Sequence, residues 1–191
     1  MLMRLTRPAV TLLIVMTLLL GLLYPLIVTL VAKLAFHGAA DGSLVYRDGK
    51  LVGSTLIGQS FSDPRHFWGR PSATTPQPYN ALSSAGSNLG PLNPALLKHV
   101  EDNVKALRAA DPGNDRPVPV DLVTASASGL DPHITPAAAY YQAARVARAR
   151  NLPVSQVEAL VAAHEETPLL GVLGERRVNV LELNLALDRL H

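Results

Sequence analysis

The sequence has 191 residues, with 17 Lys and Arg against 15 Asp and Glu, a net charge of +2 and no cysteine. This length accommodates one domain and a short additional element. The balanced charge argues against a nucleic-acid binder that neutralises phosphates, and the lack of cysteine excludes a disulfide scaffold, a cysteine-ligated metal site and thiol chemistry.

The first predicted element is an apolar segment near the N-terminus. Residues 8–32 carry no charge and lie between Arg7 and Lys33. As a helix, this segment would be roughly 37 Å long, enough to cross a hydrocarbon core of about 30 Å. Proline removes a helical hydrogen bond, so Pro25 predicts a local bend.

The charges beside this segment predict its orientation. The short tail before it is purely basic, with Arg4 and Arg7, so the positive-inside rule places the N-terminus in the cytoplasm. The sequence therefore predicts a cytoplasmic tail (1–7), a transmembrane helix (8–36) and an extracytoplasmic domain (37–191). The alternative is a cleaved signal peptide that releases a secreted binding protein, although such peptides have shorter apolar cores of about 7–15 residues.

A β-hairpin is predicted next. Apolar residues in 43–46 and 50–52 flank the pair Asp48-Gly49. An Asp-Gly pair between apolar runs favours a tight primed turn. The pattern allows the second strand to continue as far as residue 57.

Residues 62–93 form a long irregular stretch with five prolines. A loop this long in a compact domain is either functional or disordered. Disordered linkers are poor in aromatic residues, whereas the edge and interior of this loop hold Phe61, Phe67, Trp68 and Tyr79. We therefore expect an ordered loop that packs or binds something.

Helix start signals recur in the remainder of the chain. Asn93-Pro94 and Thr135-Pro136 each place a capping side chain before a proline, and Ser155 with Glu158 and Asn179 with Glu182 have capping-box spacing. The last segment also alternates like a strand. The predicted fold class is α+β, with three or four helices over 94–110, 136–150, 155–165 and 180–190.

One segment has the residue types of a hydrolytic site. Ser126 or Ser128 with Asp131 and His133 could provide a nucleophile, an orienting carboxylate and a base. Such geometry is spatial, however, and the alternative is a polar loop whose side chains bond the nearby backbone. A membrane-anchored extracytoplasmic hydrolase is therefore kept as the second hypothesis.

Two other polar clusters are interpreted as solvated surface. His164 and Glu165 near a helix end lack the spacing of a metal site, so no metal site is predicted. Arg145, Arg148 and Arg150 form a basic helix end that suits the helix dipole. A solvated face is expected there.

Five stretches of the chain resemble the C subunit of the Kdp-type potassium-transporting ATPase. They read GSTLIGQSF (53–61), FWGRPSA (67–73), YN with SSAGSNLGP (within 79–91), DLVTASASGLDPHI (121–134) and RVNVLELNLALD (177–188). They occur in the order and spacing of that family, after a single N-terminal span. Ala127 stands where the family pattern has glycine.

The resemblance implies a non-catalytic accessory subunit that helps to assemble and stabilise a high-affinity potassium uptake complex. Its partners would be a channel-like potassium-binding subunit, a P-type ATPase subunit that carries the catalytic residues, a small stabilising subunit, and the membrane. The family is also described as a catalytic chaperone that raises the ATP affinity of the hydrolysing subunit. No tightly bound cofactor is implied, and ATP would be bound only through that chaperone role.

The resemblance also suggests which residues matter. Gln142, in AYYQAARV, would be the nucleotide contact, although the predicted topology places it across the membrane from cytoplasmic ATP. The other expected residues, which would contact partners or shape loops, are Gln59, Phe61, Phe67, Trp68, Arg70, Tyr79, Asn80, Asn88, Asp131 and His133. Substituting Trp68 by alanine is expected to weaken co-purification with the pump and to leave the isolated domain folded.

Overall fold

The computed structural model describes residues 2–168 and 171–190. The chain divides into two compact units, Met1–Leu44 and Val45–His191. The first is almost entirely helical, and the second is an α+β domain, which confirms the predicted fold class.

The first unit is built on one long apolar helix. Helix α1 (Leu2–Leu18) continues through a turn of π-helix (Leu19–Leu23) into α2 (Tyr24–Ala35). The π turn ends two residues before Pro25, which has no N–H to donate, so the helical hydrogen bonding is irregular beside the proline, and the bend itself stays a prediction. The span Arg4–Ala35 is long and apolar enough to cross a membrane, and none of its apolar stretch is buried within the protein.

The helix is longer than the uncharged segment. It includes Arg4 and Arg7, which the sequence placed in a tail outside the helix, and it ends at Ala35. One further helical turn, α3 (His37–Ala40), follows it, and an ion pair of 3.4 Å joins Lys33 to Asp41.

The second unit contains short strands and four helices. Its elements are β1 (Leu44–Arg47), β2 (Lys50–Ser54), α4 (Pro94–Ala110), a 3₁₀ turn (Val120–Leu122), β3 (His133–Ile134), α5 (Pro136–Arg150), α6 (Val154–Ala163), β4 (Glu165–Glu166), β5 (Arg177–Asn179), α7 (Val180–Leu187) and a second 3₁₀ turn (Asp188–Leu190).

The hairpin is confirmed, but its second strand is shorter than the pattern allowed. Strand β2 ends at Ser54, and a turn follows in which the Ile57 N–H donates to the Ser54 carbonyl at 3.3 Å. The Ser54 hydroxyl accepts from the Leu56 N–H at 3.1 Å, which favours the turn over further strand.

Three of the four predicted helix caps are confirmed. The side chains of Asn93, Thr135 and Asn179 each accept a backbone N–H from the first turn of α4, α5 and α7. The cap at Ser155 is wrong, because α6 begins one residue earlier, after Pro153. The N-cap is Pro153, whose backbone is extended (φ −61°, ψ 135°) and which makes no side-chain capping bond, so Ser155 lies within the first helical turn.

A three-stranded antiparallel sheet, in the order β3-β5-β4, was not predicted. His133 pairs with Asn179, and Glu166 pairs with Arg177. Strands of two or three residues are too short to show a period of two in the sequence. The segment after β5 is helical, so the helix prediction for that segment is confirmed.

The core lies among α5, α6 and α7, with α6 packed against both of the other helices. Helix α5 presents alanines to its neighbours, and Ala138, Ala143 and Ala147 are fully buried. Small side chains allow the helices to approach closely. Phe67 enters this core from the long loop, so the loop is part of the folded domain.

Candidate interaction site

The aromatic part of the long loop is ordered. The Phe67 side chain is fully buried, and Phe61 and Trp68 are partly buried against the same core. The prediction of an ordered, packing loop is therefore confirmed. Phe67 lies in the core beneath the partly buried Phe61 and Trp68.

Two side-chain amides hold the loop in place. The Phe67 N–H donates to Asn184 Oδ1 at 2.8 Å, and Asn184 Nδ2 donates to the Phe67 carbonyl at 2.9 Å. The Trp68 N–H donates to Gln142 Oε1 at 2.8 Å, and Gln142 Nε2 donates to the Trp68 carbonyl at 3.1 Å. Each amide makes the pair of hydrogen bonds that a neighbouring strand would make. We call Gln142 and Asn184 the amide clamp.

Arg145 supports the same loop from α5. Its guanidinium donates to the carbonyls of Pro64 (2.5 Å) and His66 (3.0 Å) and to Gln142 Oε1 (2.6 Å). It also lies 4.6 Å from the centre of the Trp68 ring, in cation–π geometry. Burial lowers the pKa of Arg145 to about 10, so the side chain is still charged at neutral pH.

Asp188 joins three parts of the domain. Its carboxylate accepts from Arg150 at 2.5 Å and from Arg47 at 2.7 Å, and lies 3.2 Å from His66 Nε2. Burial raises the pKa of Asp188, but the hydrogen bonds from Arg150, Arg47 and His66 together lower it below its usual range. The carboxylate therefore ties the hairpin, the loop and α5 to the C-terminal turn.

The prediction of a solvated basic face at the end of α5 is wrong for Arg145 and Arg150. Arg145 is 3% exposed and the Arg150 side chain 7% exposed, whereas the Arg148 side chain is 61% exposed. The local sequence shows the spacing of the arginines, but it does not show that carbonyls and a carboxylate from distant segments lie beside two of them.

A row of acidic and basic side chains runs along the short sheet. Arg70 donates to Asp131 at 3.2 Å, and Asp131 lies 3.3 Å from His133 Nδ1. His133 Nε2 lies 3.6 Å from Glu166, which accepts from Arg177 at 2.7 Å. Burial raises the pKa of Asp131, but hydrogen bonds from His133 and the charge of Arg70 lower it overall. The predicted residues 70, 131 and 133 thus form one network.

Tyr79 is held by contacts of its hydroxyl, its backbone N–H and its ring. Its hydroxyl donates to the Arg70 carbonyl at 2.5 Å, and its N–H donates to Ser72 Oγ at 2.9 Å. The ring covers Gly58, where any side chain would overlap it. Burial, with the nearby charge of Asp131, raises the pKa of Tyr79 to about 12.

The three predicted amide residues, Gln59, Asn80 and Asn88, differ in their surroundings. The Asn80 N–H donates to Thr74 Oγ1 at 3.0 Å, and Asn80 Oδ1 accepts from the Leu82 N–H at 3.1 Å. Gln59 Nε2 donates to a carbonyl of β2 at 2.6 Å. Asn88 is exposed and has a left-handed backbone with φ of 52°. The first two shape loops by capping backbone groups.

The two serines of the hydrolase hypothesis are used in local turns. The Ser126 hydroxyl accepts from the Gly129 N–H at 2.9 Å, and the Ser128 hydroxyl accepts from the Leu130 N–H at 3.1 Å. Within the described part of the chain, neither hydroxyl contacts His133. The residues therefore do not form a nucleophile–base pair in this conformation.

A cavity of about 260 Å³ brings five of the predicted residues together. Arg70 also borders a second cavity, of about 360 Å³, with Asp131 and His133. Among residues 2–168 and 171–190, no group of three or more His, Asp or Glu side chains is placed to hold a metal ion. The five residues that line the smaller cavity are Gln59, Phe61, Trp68, Arg70 and Tyr79.

Sequence reasoning missed three important side chains: Asn184, Arg145 and Asp188. Asn184 had a detectable signal, because an amide within the run LELNLAL needs a hydrogen-bond partner once the run is buried. The roles of Arg145 and Asp188 depend on partners about 80 and 140 positions away along the chain, which local patterns do not show.

Comparisons with known proteins agree with these motifs. A family model described as KdpC, K⁺-transporting ATPase, c chain, matches residues 6–189. The chain is 69% identical to the potassium-transporting ATPase KdpC subunit of Polaromonas naphthalenivorans, over 96% of this chain and 94% of the relative. It is 68% identical to the KdpC subunit of Variovorax paradoxus (95% and 94% covered) and 62% identical to that of Dechloromonas aromatica (96% and 96% covered).

Proposed function

The chain belongs to the KdpC family of K⁺-transporting ATPase c chains, and from that premise we propose a single-span accessory subunit whose domain lies outside the cell. The observation that carries the proposal is the family match over residues 6–189, because it includes both the apolar helix and the α+β domain. The subunit would help to assemble and stabilise the potassium pump.

The N-terminal helix would anchor the chain in the bacterial inner membrane. Its apolar stretch is unburied within the protein, so lipid or other membrane helices must cover it. Arg4 and Arg7 precede the uncharged residues, which favours a cytoplasmic N-terminus by the positive-inside rule. Residues 45–191 would then face the outer side.

The partners in this proposal are those that the resemblance implies. A channel-like subunit would bind potassium, a P-type subunit would hydrolyse ATP, and a small subunit would stabilise the assembly. The described domain supports a binding role rather than catalysis in this chain, because its polar side chains mainly hold loops. Catalytic residues would lie in the hydrolysing subunit.

We propose that any chaperone effect on ATP affinity is transmitted through the assembly rather than by direct contact. Gln142 is 1% exposed, and its amide already bonds the Trp68 backbone, the Ala138 carbonyl and Arg145. A nucleotide could reach it only by displacing the aromatic loop. An effect between distant sites is a coupling free energy that the intervening subunits must carry.

The proposed topology is tested by labelling introduced cysteines from outside the cell. The natural chain has no cysteine, so any label on it marks the introduced residue. We expect Ser155→Cys, at an exposed position of α6, to react with a membrane-impermeant maleimide in intact cells that express the whole pump. Leu5→Cys, near the N-terminus, should react only after lysis. The control is the wild-type chain, which has no thiol.

Each outcome has a distinct meaning. Labelling of Leu5→Cys in intact cells, with protection of Ser155→Cys, would reverse the topology and place Gln142 on the same side of the membrane as cytoplasmic ATP. A mature chain that has lost residue 5 would instead indicate signal cleavage. Labelling as expected, but without co-purification of pump subunits, would contradict the accessory role.

A further inference from the structure

The hairpin β1–β2 carries apolar side chains on its exposed face. Leu44 is 44% exposed, Tyr46 is 61% exposed and Leu51 is 56% exposed. Val45 and Val52, which alternate with them along the strands, are half-buried. An antiparallel pair of strands commonly packs one apolar face on the core and turns a polar face to water. This hairpin instead has apolar side chains on both faces.

The turn of the hairpin shows that the exposed side chains form one patch. Asp48 and Gly49 both have positive φ, of 51° and 75°, as in the type I′ turn of a two-residue hairpin loop. The strands on either side of such a loop pair residue by residue, so Tyr46 lies opposite Leu51, and opposite side chains are about 5 Å apart. Leu44 lies two residues before Tyr46 and therefore on the same face. We call these three side chains, Leu44, Tyr46 and Leu51, the hairpin patch.

The other face of the hairpin accounts for its attachment to the domain. Strands β1 and β2 form a two-stranded sheet of their own, and such a sheet is marginally stable unless one face packs against other structure. The half-buried Val45 and Val52 belong to that face, and Arg47 at the end of β1 donates to Asp188 at 2.7 Å. The hairpin patch is therefore not needed to hold the hairpin on the domain.

The hairpin begins shortly after the membrane helix. The helix ends at Ala35 and β1 begins at Leu44, so only residues 36–43 lie between them. This connection contains the helical turn α3, and its Asp41 forms an ion pair of 3.4 Å with Lys33 of the helix. Even a fully extended chain of that length spans less than about 30 Å. The start of β1 is therefore held near the bilayer surface at which the helix emerges.

We propose that the hairpin patch lies in the headgroup region of the lipid bilayer, on the side where the helix emerges. This inference rests on the proposed membrane anchoring and adds a second contact between the chain and the lipid. Because the helix already holds the hairpin near the surface, the contact is intramolecular, and three apolar side chains are enough to maintain it. It restricts how freely the domain moves against the membrane.

The chemistry of the patch favours lipid as its occupant. Tyrosine is enriched at membrane–water interfaces, since its ring is apolar and its hydroxyl is polar. Leu44 and Leu51 add aliphatic side chains beside Tyr46, which can enter the boundary between headgroups and acyl chains. The patch itself carries no charge, and Asp48 and Lys50 lie at the turn, where they can stay in water. A neighbouring pump subunit is the alternative occupant, and the experiment separates the two.

Spin labels on single introduced cysteines measure what surrounds the patch, because the chain has no other thiol. Tyr46→Cys or Leu51→Cys would be labelled in the full chain, placed in vesicles of phosphatidylethanolamine and phosphatidylglycerol, and measured before and after assembly with the other pump subunits. Oxygen concentrates in the bilayer, whereas a nickel chelate stays in water. We expect both labels to collide several-fold less with the chelate, and more with oxygen, than a label at Val120→Cys, a position 70% exposed outside the hairpin.

Two results would overturn the proposal. Labels at positions 46 and 51 that collide with the chelate as often as the label at position 120 would place the patch in water. Labels that are shielded from both oxygen and the chelate in the assembled pump would show that a protein surface covers the patch.

A matched pair of variants tests whether the apolar side chains cause the contact. Leu51→Asn should raise the collisions of the label at position 46 with the chelate several-fold. Leu97→Asn, at an equally exposed position of α4 (56%), should leave them unchanged. Equal collision rates in the two variants would contradict the proposed role of the patch. Both substitutions are at exposed positions, so the melting temperature should stay at the wild-type value.

A label at Val15→Cys, within the apolar helix, separates the two possible failures. In the chain alone it should meet oxygen and not the chelate, because lipid surrounds a spanning helix. If the chelate reaches position 15, the membrane anchoring itself is wrong. If position 15 is in lipid and positions 46 and 51 are in water, only the assignment of the hairpin patch is wrong.

Discussion

At the scale of single residues, the aromatic loop is held by side chains that replace a missing strand. Gln142 and Asn184 each satisfy both backbone groups of one loop residue, Trp68 and Phe67 respectively. Buried backbone groups left without partners are costly, so an irregular segment can enter the core only with such compensation. Arg145 adds a charged donor that fixes the Gln142 carbonyl oxygen.

Replacing Gln142 tests whether its role is structural. Gln142→Ala would leave the Trp68 backbone and part of Arg145 without partners, at about 1–3 kcal/mol for each buried unsatisfied group. We expect a clear fall in the free energy of unfolding, measured by urea denaturation of the full chain in detergent. The exposed Gln156→Ala is the matched control and should be neutral.

The ATP affinity of the assembled pump should fall with Gln142→Ala only to the extent that the domain loses stability. A variant with wild-type unfolding behaviour and weakened ATP binding would instead support direct nucleotide contact.

Asp188 is expected to make the free energy of unfolding of the domain fall at acid pH. Its pKa is depressed in the folded state, so the carboxylate stabilises the fold above its unfolded pKa of about 3.9 and loses that contribution as the pH falls through the folded value. Asp188→Asn should destabilise the domain by about 2 kcal/mol at pH 7, because charge-assisted hydrogen bonds are lost. The difference should narrow below about pH 4.

Urea denaturation of both proteins between pH 7 and pH 3 measures this difference. Asp115→Asn, which changes an exposed carboxylate, is the control. A destabilisation by Asp188→Asn that stayed constant down to pH 3 would show that shape, rather than charge, matters at this position.

At the scale of elements, the domain relies on loops that pack tightly against short strands. Gly58 donates its N–H to the Leu130 carbonyl at 2.8 Å and lies beneath the Tyr79 ring. These two contacts of Gly58 join the segment after the hairpin to the long loop and to the residues before β3. The sheet itself has only two or three residues per strand, so these contacts between loops carry much of the architecture.

Gly58→Ala should disrupt this junction. The added methyl group would overlap the Tyr79 ring and the Asp131 carbonyl, and overpacking of this kind costs about 1–3 kcal/mol. Gly90→Ala is the matched control, because nothing lies within 4 Å of its added methyl group. Thermal melts of both variants, as full chains, distinguish them. Equal melting temperatures would show that the Tyr79 ring moves aside freely.

At the scale of the whole molecule, the chain combines an apolar helix with a domain whose core is small but whose polar contacts are numerous. From Arg4 to Ala35, nearly all the apolar side chains of the helix are exposed. The aromatic side chains Phe61, Phe67 and Trp68 of the long loop are partly or fully buried in the domain. Trp68 is partly buried against the core, so Trp68→Ala is expected to reduce stability as well as assembly.

The sequence predicted features that depend on local patterns. The apolar segment, the hairpin turn at Asp48-Gly49 and the caps at Asn93, Thr135 and Asn179 were all recognisable, because each depends on residues within a few positions of one another. The family resemblance also followed from short motifs read in order, and the comparisons confirm it.

The tertiary structure alone decided how distant polar groups are paired. Arg145 and Arg150 belong to a basic run that looks like a solvated face, yet both are buried against partners from the loop and the C-terminal turn. Gln142, which the family resemblance gives as a nucleotide contact, holds the backbone of Trp68 through its side-chain amide, and its role toward ATP stays a prediction. Local sequence determines which residues can form helices, turns and an apolar span. Burial and ion pairing depend on which segments, distant in the sequence, come into contact, and only the packing of the whole chain decides those contacts.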